Sequence, residues 1–271
     1  MIRSLWKLTK SFALGREKMP DGVVKLSTGA YARFSPGVGE GLLPAVLIVH
    51  GWRGEPFHEG GTYDLVSKSL NAIGYHTLLL CLRGHGCAEG DINTVTPFQN
   101  NSDIVAAFQY LAEQPDIDPA RLGAFGASYG AYLLAAVASS ISGFKLLALR
   151  APALYPDIEK LDCWNRPTSE AVADPTLGSW RSELHTMVES LALSGISHFA
   201  GDLLIVPSEL DEDMPPAVAR SYQQAAIRGH ARSVRMHILP GVGHVLQGEH
   251  REKFLVLLSK WFEEHYSTSQ V

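Results

Sequence analysis

Apolar and polar positions divide the middle of the chain into short runs of two kinds. Ala45–His50 (AVLIVH), Thr77–Leu82 (TLLLCL), Arg121–Phe125 (RLGAF), Leu146–Arg150 (LLALR), Leu203–Pro207 (LLIVP) and Val234–Leu239 (VRMHIL) have the length and content of strands. Several are nearly unbroken apolar runs, as in strands covered on both faces. Between them the spacing turns helical. Leu65, Val66, Leu70 and Ile73 form one apolar face, and Ile104, Val105, Phe108 and Leu111 form another, with Ser102 as its N-cap and Pro115 beyond its end. Tyr129–Ile141 is small and apolar nearly all round, which predicts a helix buried against a sheet. Pro216–Arg228 and Gly248–His265 supply two more helices, and Val23–Phe34 reads as one or two antiparallel edge strands turning at Ser27-Thr28-Gly29. Strands alternating with helices predict an α/β fold: a mostly parallel central sheet with helices on both faces. Only Ala151–Ala200, with four prolines and two tryptophans, breaks the rhythm. It is expected to be a cap-like insertion over the site, within a single domain spanning residues 1–271.

Composition narrows the classes of function. With a formal net charge of −5 over 271 residues and no basic run, nucleic acid is not an expected partner. No apolar stretch approaches the roughly 20 residues of a membrane span. The first 20 residues set Lys7, Lys10, Arg16, Glu17 and Lys18 among Leu5, Trp6, Leu8, Phe12 and Leu14. That pattern suits a short amphipathic helix, since the charges interrupt any signal-peptide core. Cys81, Cys87 and Cys163 are odd in number and show no paired spacing, so reduced thiols and a cytoplasmic location are expected. No spacing of histidines or cysteines suggests a metal site, and no cofactor is expected. Oligomeric state is left open.

The chemistry concentrates at Gly126-Ala127-Ser128-Tyr129-Gly130, a G-x-S-x-G element between a strand and a helix. Small residues two before and two after the serine permit a turn tight enough to lift its hydroxyl above the sheet. A serine needs a base, and in a parallel sheet catalytic groups gather at the carboxyl edge of the strands. Of eleven histidines, His244 lies just past the strand Val234–Leu239, whereas His237 falls inside it and His230 before it. By the same rule Asp211, four residues past Leu203–Pro207, is the expected acid, with Asp213 as its rival. The oxyanion hole is assigned to the backbone N–H groups of Trp52 and Tyr129, the first in the loop after Ala45–His50. His50 is expected to be a structural hydrogen-bonding residue.

Together HGWRG (His50–Gly54), RGHG (Arg83–Gly86), GASYG (Gly126–Gly130), SELDEDMP (Ser208–Pro215) and GVGH (Gly241–His244) resemble the successive signatures of the α/β-hydrolase superfamily. The chain is similar to bacterial esterases, dienelactone hydrolases, feruloyl esterases and prolyl oligopeptidase relatives, over roughly residues 45 to 265. The resemblance implies a serine hydrolase working through an acyl-enzyme, with Ser128, Asp211 and His244 in the order usual for that fold. The chain departs from those relatives in the acid loop, where they usually carry glycine and Ser208 stands here. The favoured substrate is a carboxylic ester of a small or medium acyl or aryl acid, which makes the chain a carboxylesterase-like enzyme. Peptidase and thioesterase activity are the alternatives, and a non-catalytic ligand-binding member of the fold is the reading from another class.

Other residues have two readings each. Arg150, at the carboxyl end of a central strand, either meets an acidic substrate group or pairs with a carboxylate of the insertion, the second being favoured. Phe57, Trp164, Trp180 and Tyr155 either line a substrate pocket or pack the insertion onto the body. Arg83 and His85 are expected to brace their own loop.

Overall fold

A computed structural model describes residues 22–157 and 162–267. The amphipathic helix expected in the first 20 residues lies outside the described residues. Eight strands form one sheet: β1 (Val23–Lys25), β2 (Tyr31–Ser35), β3 (Leu43–Val49), β4 (His76–Cys81), β5 (Ile117–Ala127), β6 (Phe144–Arg150), β7 (Asp202–Val206) and β8 (Ser233–Met236). Their order is β1-β2-β4-β3-β5-β6-β7-β8. β3 to β8 run parallel, and the β1–β2 hairpin closes one edge in antiparallel fashion. The hairpin turns where the sequence places it, with Gly29 in the left-handed region at φ 91°.

The buried strands explain the apolar runs. Along β3, Ala45, Leu47 and Val49 face one core while Val46 and Ile48 face the other. The first core is covered by α2 (Pro97–Ala112), α3 (Tyr129–Val137), α6 (Leu191–His198) and α7 (Pro216–Arg228), through Ile104, Tyr132, Ile196 and Tyr222. The second is covered by α1 (Thr62–Ala72) and α8 (Gly248–Ser267), through Val66, Leu70, Phe254 and Trp261. No helix among the described residues is long and apolar enough to cross a membrane.

Three expectations are corrected. α2 begins at Pro97, not after Ser102, because Thr96 and Gln99 form a reciprocal capping box with proline at the first helical position. The tract after β6 is an excursion only in its first part. It carries two short helices, α4 (Thr168–Ala173) and α5 (Leu177–Arg181), whose Ala171 and Leu177 reach the first core, whereas α6 packs against α3 and α7 in the helical layer on the sheet. Half-buried Asp157 marks the join, accepting from the Ser190 hydroxyl and the Leu191 N–H at the start of α6; desolvation pushes its pKa up to about 6.

The third correction concerns the thiols. Cys81 and Cys87 are joined in a disulfide, and only Cys163 is free, so the reading of three reduced cysteines fails. The chain doubles back after β4 through Gly84 and Gly86, both at positive φ, bringing the two Cα atoms to 6.2 Å. The cytoplasmic expectation, which leaned on reduced thiols, loses that support. Thiol titration of the unfolded chain should find one reactive sulfhydryl without reductant and three after reduction. Three in both conditions would contradict the bond.

Candidate active site

The carboxyl edge collects the candidate residues in strand order. Trp52 follows β3, Ser128 follows β5, Arg150 ends β6, Asp211 follows β7 and His244 follows β8. Between β5 and α3 the chain turns so sharply that Ser128 takes φ 50°, ψ −115°, a strained conformation for a residue with a side chain. Neighbours of zero side-chain volume make this possible. A Cβ on Gly130 would stand 2.4 Å from the His50 carbonyl oxygen, and one on Gly126 would stand 2.8 Å from the Ala131 backbone. The turn is pinned by the Ser128 N–H donating to the Arg150 carbonyl at 2.9 Å.

Above this turn the Ser128 hydroxyl lies 3.0 Å from His244 Nε2. On the other side of the ring, Nδ1 lies 2.9 and 3.1 Å from the two carboxylate oxygens of Asp211. Asp211 is buried, and its Oδ1 also accepts the N–H groups of Asp213 and Met214 at 3.1 and 2.9 Å. The rival Asp213 thus serves the acid through its backbone, and its own carboxylate makes no hydrogen bond to His244. With the ring's proton on Nδ1 facing the carboxylate, Nε2 is left to accept from the serine hydroxyl.

Metal-binding atoms also gather here. Asp211, Asp213 and His244 bring ligand-type atoms within 4.8 Å of one another. Both nitrogens of His244 are already engaged, one by Asp211 and one by Ser128, so a cation on Nε2 would have to displace the serine.

The rings of Trp52 and Tyr129 meet edge-on with centroids 5.8 Å apart. Tyr129 is the first residue of α3, where the N–H has no intrahelical acceptor. His85 packs against both, stacked on Tyr129 at 5.7 Å and edge-on to Trp52 at 5.0 Å, and its Nδ1 accepts the Arg53 N–H. Burial drives the His85 pKa well below its usual value, so the ring is neutral. His50 is neutral too, its pKa lowered to about 4 by burial; its Nδ1 faces the Gly51 carbonyl at 2.7 Å and its Nε2 accepts the Leu82 N–H. Arg83 pairs with buried Asp103 at 2.6 Å and donates to the Gln99 carbonyl. These rings and charges brace the loops after β3 and β4, as their sequence positions suggest.

Arg150 pairs with no carboxylate of the excursion, contrary to the favoured expectation. Its Nη2 instead donates to the Ser208 hydroxyl and to the carbonyls of Gly243 and His244. The reason is position: as the last residue of β6 it lies under the loops that follow β7 and β8. The aromatic candidates make packing contacts. Phe57 packs on the second core with the Arg33 guanidinium 5.9 Å from its ring. Trp164 meets Tyr132 edge-on and lines a groove of about 310 Å³ along α2. Trp180 stacks on His185 at 3.6 Å. No hydrogen bond or ring contact joins any of the three to Ser128 or His244. Tyr155 packs between Tyr129, Tyr132 and Arg181, which suits the reading that it ties the excursion to the body. Sequence reasoning missed Thr168, whose hydroxyl meets Tyr129 Oη at 3.0 Å, and Tyr63, whose Oη accepts the Gly51 N–H at 2.8 Å.

A sheet of this order, with a serine at the strained turn after β5, is that of an α/β-hydrolase. Comparison with known proteins makes the assignment finer: residues 92–269 match the prolyl oligopeptidase family of peptidases, and the chain belongs to that family. Among curated relatives it is 25% identical over 243 residues to the uncharacterized peptidase YuxL of Bacillus subtilis, covering 84% of this chain and 35% of YuxL. The chain therefore spans about a third of that relative's length. Among solved structures it resembles Est1E of Butyrivibrio proteoclasticus with bound ferulic acid, at TM-score 0.66 and 21% identity, covering 90% of this chain and 96% of that one. It also resembles dipeptidyl peptidase 4 of Porphyromonas gingivalis, at TM-score 0.65 and 20% identity, covering 88% of this chain and 34% of that one. Through that family the chain belongs to the α/β-hydrolase superfamily.

Proposed function

We propose that the chain hydrolyses carboxylic esters of small or medium acyl or aryl acids through an acyl-enzyme on Ser128. The observation that carries this reading is the continuous hydrogen-bonded line from Asp211 through His244 to the Ser128 hydroxyl, at 2.9 and 3.0 Å. Ser128 Oγ attacks the ester carbonyl while His244 Nε2 takes its proton, and Asp211 stabilises the imidazolium that forms. The backbone N–H groups of Trp52 and Tyr129 receive the oxyanion, with the N-terminus of α3 favouring its charge. Collapse of the tetrahedral intermediate breaks the carbon–oxygen bond, and His244 returns the proton to the leaving alcohol. A water activated by His244 then releases the acid and restores the serine. No step calls for a cofactor, and the expected partner is a small-molecule substrate.

The preference for esters is supported by the match to Est1E, which extends over nearly the whole of that chain and whose structure holds an aryl acid. A second reading, hydrolysis of peptides, is favoured by the family to which the chain belongs. The same acyl-enzyme serves either leaving group. A panel of p-nitrophenyl esters of rising chain length, a feruloyl ester and aminoacyl-p-nitroanilides separates the two. The expected result is a kcat/KM optimum among the esters at least about tenfold above every anilide, a difference of 1.4 kcal/mol in transition-state binding. An optimum among the anilides would assign the chain to peptide hydrolysis.

A further inference from the structure

We infer that Arg150 and Ser208 act as a clasp that positions His244 over Ser128. The inference rests on the proposed roles of those two residues and adds two positioning residues to them. Arg150 touches both sides of the reaction centre. Its carbonyl accepts the Ser128 N–H at 2.9 Å, and its Nη2 donates to the carbonyls of Gly243 and His244 at 3.3 and 3.2 Å. Ser208, the second residue past β7, fits between: its hydroxyl accepts from Arg150 Nη2 at 2.7 Å and donates to the Gly243 carbonyl at 2.7 Å. Arg150, through its carbonyl and guanidinium, and the Ser208 hydroxyl thus connect the ends of β5, β6 and β7 to the histidine loop.

The loop needs such a hold. Val242 and Leu246 anchor it in the second core, but Gly241 lies in the left-handed region at φ 66° and a Cβ built on Gly243 would meet nothing nearer than 3.7 Å, so side-chain packing does not fix the path beside His244. Backbone anchors reach only its first half, where Glu209 accepts the Gly241 N–H and Val242 accepts the Leu210 N–H. Among the described residues, only Arg150 and Ser208 donate to the carbonyls of Gly243 and His244.

Burial makes the arrangement costly. Arg150 is 3% exposed, and its Nε and Nη1 have no hydrogen-bond partner. A buried cation with two unmet donors is poor material for stability alone, since an apolar residue of similar shape often serves that purpose better. Its use here is explained by the oriented donors it supplies to the histidine loop. A glycine at position 208 would offer no hydroxyl to pass the contact on.

The test uses Arg150→Met, Arg150→Lys and Ser208→Gly, each alone and in a His244→Ala background, with Ser128→Ala as reference. A shift of about 1 Å in a catalytic group lowers rate by about 10²-fold, so R150M is expected to lose about that much kcat with KM within about twofold of wild type. R150K, which restores one charged donor, should recover part of the loss. S208G should cost roughly tenfold, the worth of one hydrogen bond. In the H244A background neither R150M nor S208G should lower the residual rate further, because a positioning residue has nothing left to position. Wild-type kcat in R150M or S208G, with S128A inactive, would overturn the clasp and leave the proposed function standing. Equal losses with and without His244 would also overturn it, by showing a general structural role. Should R150M fail to fold, S208G keeps the cation and decides alone. Activity of S128A at the wild-type rate would instead overturn the proposed function.

Discussion

Replacement of Ser128 by alanine is expected to lower kcat toward activated esters by about 10⁶-fold, the loss found when the nucleophile of a catalytic triad is removed. KM should change little, because the hydroxyl contributes to the transition state more than to the bound ester. The fold should be kept. Ser128 holds its strained φ of 50° because Gly126, Gly130 and the Arg150 carbonyl shape the turn, and alanine leaves all three in place. A Tm close to wild type would separate loss of chemistry from loss of structure. Steady-state kinetics with p-nitrophenyl acetate, corrected for the uncatalysed rate, measures the effect directly.

The second large effect is expected at Asp211. In Asp211→Asn the amide can offer an N–H to His244 Nδ1, which stabilises the wrong tautomer of the ring, and kcat should fall by up to about 10⁴-fold. Asp213→Asn is the matched control. Its carboxylate is exposed and makes no hydrogen bond to His244, and its backbone N–H, which does serve Asp211, is unchanged by the substitution. A loss below about threefold is expected for D213N, within the range of an exposed charge. A larger loss in D213N than in D211N, measured as kcat on the same ester, would exchange the two roles.

Much of this arrangement was legible in the sequence, for a physical reason. Strands buried on both faces are apolar at nearly every interior position, so β3, β4, β6 and β7 stand out as runs such as LPAVLIV and DLLIV. Once strand ends are located, the carboxyl-edge rule selects a serine, an aspartate and a histidine far apart in sequence. The structure joins those three in one hydrogen-bonded line, with the histidine in the middle. Local chemistry was harder to weigh. Thr96-Pro97-Phe98-Gln99 carries a full capping box, yet the apolar face that begins at Ile104 drew the expected start of α2 too far along.

What stayed illegible depends on where side chains meet after folding. Nothing in the spacing of Cys81 and Cys87 shows that Gly84 and Gly86 return the chain upon itself. The strand-end position of Arg150 made it a candidate for contact with a ligand or a carboxylate. Its true partners, one hydroxyl and two carbonyls, come from loops after β7 and β8 that only the strand order brings overhead. Phe57, Trp164 and Trp180 show the same limit. Large aromatics in a proline-rich tract or an exposed loop carry no sequence mark that separates a pocket wall from a packing contact.

The central claim is that Ser128 is the activated nucleophile, and covalent labelling tests it most directly. Wild-type protein treated with an excess of a fluorophosphonate should gain the mass of one adduct, mapped by peptide mass spectrometry to the residue between Ala127 and Tyr129. The S128A variant should gain none under the same conditions. An adduct at another residue, or labelling of S128A at the wild-type rate, would contradict the account.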